Sequence, residues 1–153
     1  MEEKPKIWTI GHSNRSIDAF LALLNEYIVQ VLVDVRSFPT SKIEHFKRER
    51  MEKWLSQQGI EYLWLGKELG GYRRGGYKKY MRTNLFMKGV KRLLEIARNK
   101  RTCIMCMEVN PRYCHRRYIS ARLEYKKVKV IHIIEKGQKS LTQVLNHKKH
   151  THL

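Results

Sequence analysis

Four short segments of the 153-residue chain carry the side chains able to do chemistry. The richest is Cys106-Met107-Glu108-Val109-Asn110-Pro111-Arg112-Tyr113-Cys114-His115-Arg116. Cys106 ends an apolar strand, where it can act as a nucleophile. Glu108, two residues on and on the same face, can serve as a general acid or base beside it. Asn110 as N-cap and Pro111 at the first helical position open a helix, so Cys114, His115 and Arg116 fall in its first two turns. There the positive end of the helix dipole lowers a thiol pKa and attracts anions. Buried cysteines also serve as small core hydrophobes, and that alternative stays open for either thiol.

The other three segments are shorter. Gly11-His12-Ser13-Asn14-Arg15 supplies a glycine where backbone can approach a ligand, then an imidazole, a hydroxyl and a cation. It suits an anion cradle at a helix start, and equally an ordinary strand-to-helix turn with Ser16 as cap. Asp34 ends a strand that reads as fully buried, and Arg36 shares its face. The two can form an internal ion pair, or Asp34 can orient His12 while Arg36 grips a phosphate or carboxylate. The segment Gly66 to Tyr80 interleaves cations, tyrosines and glycines, as a flexible phosphate-contacting or base-stacking loop requires. Cys103-x-x-Cys106 with Cys114 and His115 has a composition open to zinc. Residues three apart on a strand face opposite sides of the sheet, however, so no metal and no cofactor is expected.

The elements that position these segments alternate. Lys6 to Ile10 reads as a buried strand, and Ile17, Phe20, Leu21, Leu24 and Ile28 form a helical stripe behind Ser16. Val29 to Val35 is a β-branched strand covered on both faces. Arg48 to Gln58 is helical and stops at Gly59, and Ile60 to Leu65 is a third strand. A helix over Thr83 to Asn99, a strand over Thr102 to Met107, a helix to Tyr125 and a strand over Val128 to Ile134 complete the pattern. This alternation predicts a single α/β domain over residues 1–136. It should hold about five mostly parallel strands with helices on both faces, in a Rossmann-like three-layer arrangement. Residues 137–153 read as a basic, partly frayed tail. In such sheets ligands bind beyond the carboxyl ends of the strands, and all four chemical segments fall on that edge.

Composition bounds the partners. With 42% hydrophobic and 30% charged residues the chain should fold, and it has no apolar stretch long enough to span a bilayer. No membrane association is expected. Three closely spaced cysteines suit a reducing, cytoplasmic setting better than a disulfide framework. A net charge of +18 draws polyanions, so the expected partner is an anionic ligand, nucleotide or nucleic acid. A merely soluble basic surface is the alternative, and the oligomeric state is left open.

Thr9-Ile10-Gly11-His12-Ser13, Leu32-Val33-Asp34-Val35-Arg36 with Pro39 and Ser41, Gly59-Ile60-Glu61-Tyr62 leading to Leu69-Gly70-Gly71, and Cys106-x-Glu108 leading to Cys114-His115-Arg116 together resemble one family, domain of unknown function 488. The resemblance runs from Ile7 to Ile133 and implies a compact α/β domain with a site at these motifs, without a reaction. A looser likeness, to rhodanese-type sulfurtransferases, rests on Asp34-Val35-Arg36 and on Cys106 entering a loop before a helix.

The leading expectation is an enzyme acting on a phosphate-bearing substrate. His12, Asp34, Cys106 and Glu108 are its candidate catalytic groups, and Ser13, Arg36, Cys114, His115 and Arg116 are its candidate anion and substrate contacts. A non-catalytic nucleic-acid-binding module and a sulfurtransferase using Cys106 are the alternatives.

Overall fold

The computed structural model describes residues 4–138. Strand β1 (Lys6–Gly11) leads into helix α1 (Ile17–Glu26), whose start is fixed by the Ser16 hydroxyl accepting from the Ala19 N–H at 3.0 Å. Strand β2 (Val31–Asp34) is buried at every position, as its apolar, β-branched sequence requires. Helix α2 (Arg48–Gln57) and strand β3 (Glu61–Trp64) follow, then two short helices, α3 (Gly66–Leu69) and α4 (Tyr77–Tyr80). Helix α5 (Asn84–Asn99) is capped by Thr83. Strand β4 (Thr102–Cys106), helix α6 (Arg116–Tyr125) and strand β5 (Lys129–Ile133) complete the chain.

All five strands are parallel in one sheet of order β3-β2-β4-β1-β5. The chain crosses the sheet one way from β1 to β3, then turns back to place β4 between β2 and β1 and β5 at the far edge. Crossovers of one hand put helices on opposite faces when the direction reverses. Accordingly Phe20 and Leu24 of α1 and Met51 and Leu55 of α2 pack with Trp8, Ile10, Leu32 and Met105. On the other face Phe86, Val90 and Leu93 of α5 and Ile119 and Leu123 of α6 pack with Ile7, Val31, Val33 and Ile104. Full burial of each such side chain contributes roughly 1.5–3 kcal/mol, so the strand ends are held from both sides. The loop leaving β4 departs toward one face and those leaving β1 and β2 toward the other, which opens a crevice at their carboxyl ends.

Three local expectations are corrected. The helix predicted from Pro111 is a short 3-10 turn, Pro111–Tyr113, capped by the Asn110 side chain. The extended backbone of Cys114 (φ −137°, ψ 151°) delays α6 until Arg116, so Cys114 and His115 precede the helix. Ile28 lies beyond α1 in the left-handed region (φ +53°), exposed, because its N–H and that of Val29 return to the carbonyls of Asn25 and Leu24. The stretch from Gly66 to Arg82 is not one open loop. Tyr77 and Tyr80 are buried, and their hydroxyls donate to the carbonyls of Leu69 and Glu68 at 2.8 and 2.5 Å. Of the predicted tail, residues 139–153 lie outside the described residues. No helix among the described residues is long and apolar enough to cross a membrane.

Candidate active site

A cavity of about 450 Å³ occupies the crevice, and five of the nine candidate residues line it: Arg36, Cys106, Glu108, Cys114 and His115. The loop after β2 supplies Arg36, Ser37, Phe38 and Thr40, and the segment after β3 supplies Gly71 and Tyr72. Met107 and Tyr113 join the cysteines from the connection between β4 and α6. His12, Ser13, Asp34 and Arg116 sit outside this lining.

Cys106 and Cys114 meet as a bonded sulfur pair, where the sequence favoured separate thiols. Cys106 faces the α5 and α6 side of the sheet, whereas Cys103 and Met105 face the other, as strand alternation requires. Around Cys114 three features converge. The Arg116 N–H, at the start of α6, donates to its Sγ at 3.4 Å. The His115 Nδ1 lies 3.6 Å from the same sulfur. The His115 Nε2–H donates to the Val35 carbonyl at 2.8 Å, which fixes the proton on Nε2 and leaves the Nδ1 lone pair aimed at Cys114. Burial holds the His115 pKa below its ordinary value, so the ring is neutral at neutral pH. Gly71 makes this placement possible, since a Cβ there would stand 2.7 Å from His115 Nδ1.

Asp34 and Arg36 form a buried pair. Arg36 Nε donates to both carboxylate oxygens at 2.9 and 3.1 Å, and Nη2 donates to Oδ2 at 2.7 Å. The Tyr62 hydroxyl donates to Oδ2 at 2.5 Å, and burial together with the Asp34 charge raises the Tyr62 pKa strongly. Arg36 Nη1 donates to the carbonyls of Thr40 and Phe46 at 3.1 and 2.8 Å, and lies 3.4 Å from His12 Nε2. Every nitrogen of the guanidinium therefore already has a partner within the protein. His12 is stacked on Phe46 at 4.5 Å and donates from Nδ1 to the Ser13 carbonyl at 2.9 Å. Burial, reinforced by Arg36, lowers its pKa to about 4. It is a neutral ring that braces Arg36.

Arg116 is wholly buried. Nη1 donates to Thr9 Oγ1 at 2.9 Å, and Nη2 donates to the carbonyls of Glu108 and Val109. Burial lowers its pKa to about 10. Thr9 also meets His132 Nδ1 at 2.6 Å, so Arg116 ties β1, β5 and the loop after β4 into one frame. The first glycine of the Gly11 segment serves the same frame. A Cβ at Gly11 would overlap the Glu108 carbonyl, and the N–H groups of His12 and Ser13 donate to the carbonyls of Cys106 and Met107 at 2.9 and 2.8 Å.

The structure thus groups Arg36, Cys106, Glu108, Cys114 and His115 at one cavity, and joins Arg36 to Asp34 and His12 behind it while Arg116 braces the loop after β4. Residue typing alone missed Phe38 and Tyr113, exposed aromatics at the cavity. Their signal is position: Phe38 sits two residues after Arg36 beyond the end of β2, and Tyr113 immediately precedes Cys114 before α6. Among the described residues no three His, Cys, Asp or Glu side chains converge as a metal-binding group.

No curated protein matches the chain at a significant level. The family model described as Domain of unknown function DUF488 matches residues 16–123, more than half of the chain. That span contains Asp34, Arg36, Cys106, Glu108 and Cys114 to Arg116, and begins after the Gly11 to Arg15 segment. An α/β chain with these residues at the carboxyl edge of its sheet, matched over this length, belongs to the DUF488 family.

Proposed function

We propose that the chain is an enzyme acting on a phosphate-bearing substrate, a nucleotide or nucleic acid, at the carboxyl edge of the sheet, with Cys114 as its nucleophile. The observation that carries this reading is the position of Cys114 Sγ between His115 Nδ1 and the Arg116 N–H on the cavity wall. With the Cys106 pair reduced, the thiol proton passes to Nδ1 as Sγ bonds to the electrophilic centre of the substrate, and the imidazolium then returns that proton to the leaving group. The Val35 carbonyl keeps the tautomer correct, and the start of α6 favours the thiolate. Glu108, exposed on the same cavity, is the second acid–base group: it takes a proton from the water that attacks the adduct, and the bond to Sγ breaks to return the Cys114 thiolate. Arg36, with every guanidinium nitrogen engaged inside the protein, and Arg116, through its two terminal nitrogens, hold the frame, and the excess of basic residues attracts the anion.

The test is to incubate the reduced protein with a panel of nucleotides and with single-stranded and duplex oligonucleotides, following products and protein adducts by mass spectrometry. Turnover or a Cys114 adduct is expected, and His115→Gln should slow it by about 100-fold or more. Binding with no turnover of any member of the panel would leave a nucleic-acid-binding module and overturn the enzymatic reading, and equal turnover by Cys114→Ser would overturn Cys114 as the nucleophile.

A further inference from the structure

Seven large hydrophobic side chains are exposed among the described residues, and four of them, Phe38, Tyr72, Met107 and Tyr113, line the one cavity that holds the cysteines. Isolated exposed apolar residues are ordinary, whereas their concentration around a polar site marks a binding surface. The three aromatics are 67%, 81% and 74% exposed, so their ring faces are largely uncovered. Phe38 and Tyr72 come from different loops yet lie 5.7 Å apart, and the Tyr72 N–H donates to the Ser37 hydroxyl at 3.2 Å, which joins the two loops. Tyr113 stands on the 3-10 turn beside Cys114.

Cations flank Tyr72 and Tyr113 in sequence, and among the described residues Glu108 is the one carboxylate on the cavity wall, a balance that favours an anionic occupant. Arg74, Lys78 and Lys79 follow Tyr72 and Arg112 precedes Tyr113, all four exposed. A second copy of a chain carrying +18 would be repelled. Flat rings stack on any base whose face is free, and flanking cations take the phosphates. A duplex hides its base faces within the stack and offers these rings nothing. A single nucleotide could meet one ring but would leave the cations beyond Tyr72 unused.

We infer that Phe38, Tyr72 and Tyr113 form a base-stacking platform for single-stranded nucleic acid, with the strand's phosphates running over the cations next to Tyr72 and Tyr113. This deepens the reading of a phosphate-bearing substrate and rests on it for the nature of the occupant, but not for the thiol chemistry.

The experiment is fluorescence anisotropy with a labelled oligothymidine strand, its duplex with oligoadenosine, and thymidine monophosphate as competitor, over a range of salt. The strand should bind at least about tenfold more tightly than the duplex, and its affinity should fall steeply with salt. Phe38→Ala, Tyr72→Ala and Tyr113→Ala should each weaken it about 5- to 150-fold, the loss expected of one base–aromatic stack, and Tyr72→Phe should restore binding. Duplex binding as tight as the strand's, competition by thymidine monophosphate at the strand's own concentration, or alanine variants of unchanged affinity would overturn the inference. If the alanine variants lose the strand while no thiol reaction is found on any substrate, the platform stands and the catalytic reading fails. If turnover of a mononucleotide is found and the alanine variants match the parent in both assays, the platform fails and the catalytic reading stands.

Discussion

His115 Nδ1 lies 3.6 Å from Cys114 Sγ while the opposite nitrogen of the same ring donates to the carbonyl of Val35, 80 residues earlier in the chain. Neighbouring residues in sequence thus face each other, as the proposed nucleophile and base must, only because a distant strand end holds the imidazole. The third partner, a backbone carbonyl, cannot be titrated away, so whenever the ring is neutral its proton is held on Nε2.

Room for the ring depends on Gly71. Gly71→Ala would place a methyl group 2.7 Å from His115 Nδ1 and push the imidazole off Cys114. Alkylation of reduced Cys114 is expected to slow by about tenfold or more while the thermal transition shifts little. An unchanged rate would show that the ring position does not control the thiol.

The sulfur pair makes a second prediction. A small-molecule disulfide added to the reduced protein is attacked by the Cys114 thiolate, giving a mixed disulfide and one free thiol. Cys106 then attacks Cys114 Sγ, closing the internal bond and releasing the second thiol. Intact mass should show no lasting adduct on the parent protein and one stable adduct on Cys106→Ala. Cys103, whose thiol pKa is pushed up strongly by complete burial, should stay unmodified throughout.

Arg36 should behave as scaffold. Arg36→Met leaves the Asp34 carboxylate buried with only the Tyr62 hydroxyl and the residue 36 N–H for partners, which costs about 3–5 kcal/mol. Adding Asp34→Asn should recover part of that loss in urea unfolding, because the uncompensated charge is then gone. A variant of unchanged stability that loses only ligand affinity would instead make Arg36 a ligand contact.

Acid should loosen the fold through His12. Its folded-state pKa of about 4 lies below the ordinary value of 6.5, so the unfolded chain binds the proton more readily and stability falls as pH drops through that window. Between neutral pH and about pH 5 the loss from this ring is on the order of 2 kcal/mol. His132, lowered to about 4 by burial and by Arg116, adds to it in the same direction. Thermal unfolding across this range should show the decline, and His12→Asn should make it shallower, leaving the share of His132.

The strands were readable because each of the central ones is a short apolar run, and β2 and β4 are buried on both faces at every position. Their parallel arrangement followed from the alternation with helices, and so did the edge on which the motifs meet, whereas the order β3-β2-β4-β1-β5 comes from the structure alone. What the sequence could not convey is which polar groups meet backbone. Arg36 and Arg116 look alike as cations near a site, yet carbonyls of Thr40, Phe46, Glu108 and Val109 engage them, and those acceptors exist only once the loops have packed. The late start of α6 had the same origin: Asn110 and Pro111 are genuine start signals, but for a single 3-10 turn. Tyr77 and Tyr80 sit in a polar-looking stretch and are nonetheless core residues, held by hydroxyl bonds to carbonyls that the sequence does not reveal.

The most direct measurement is the site-resolved rate at which iodoacetamide alkylates the reduced protein at neutral pH, compared between the parent and a folded His115→Gln variant. Cys114 should be the fast site and the substitution should slow it by at least about tenfold, with Cys103 inert in both. Equal rates at Cys114 in the two folded proteins would contradict that role for His115.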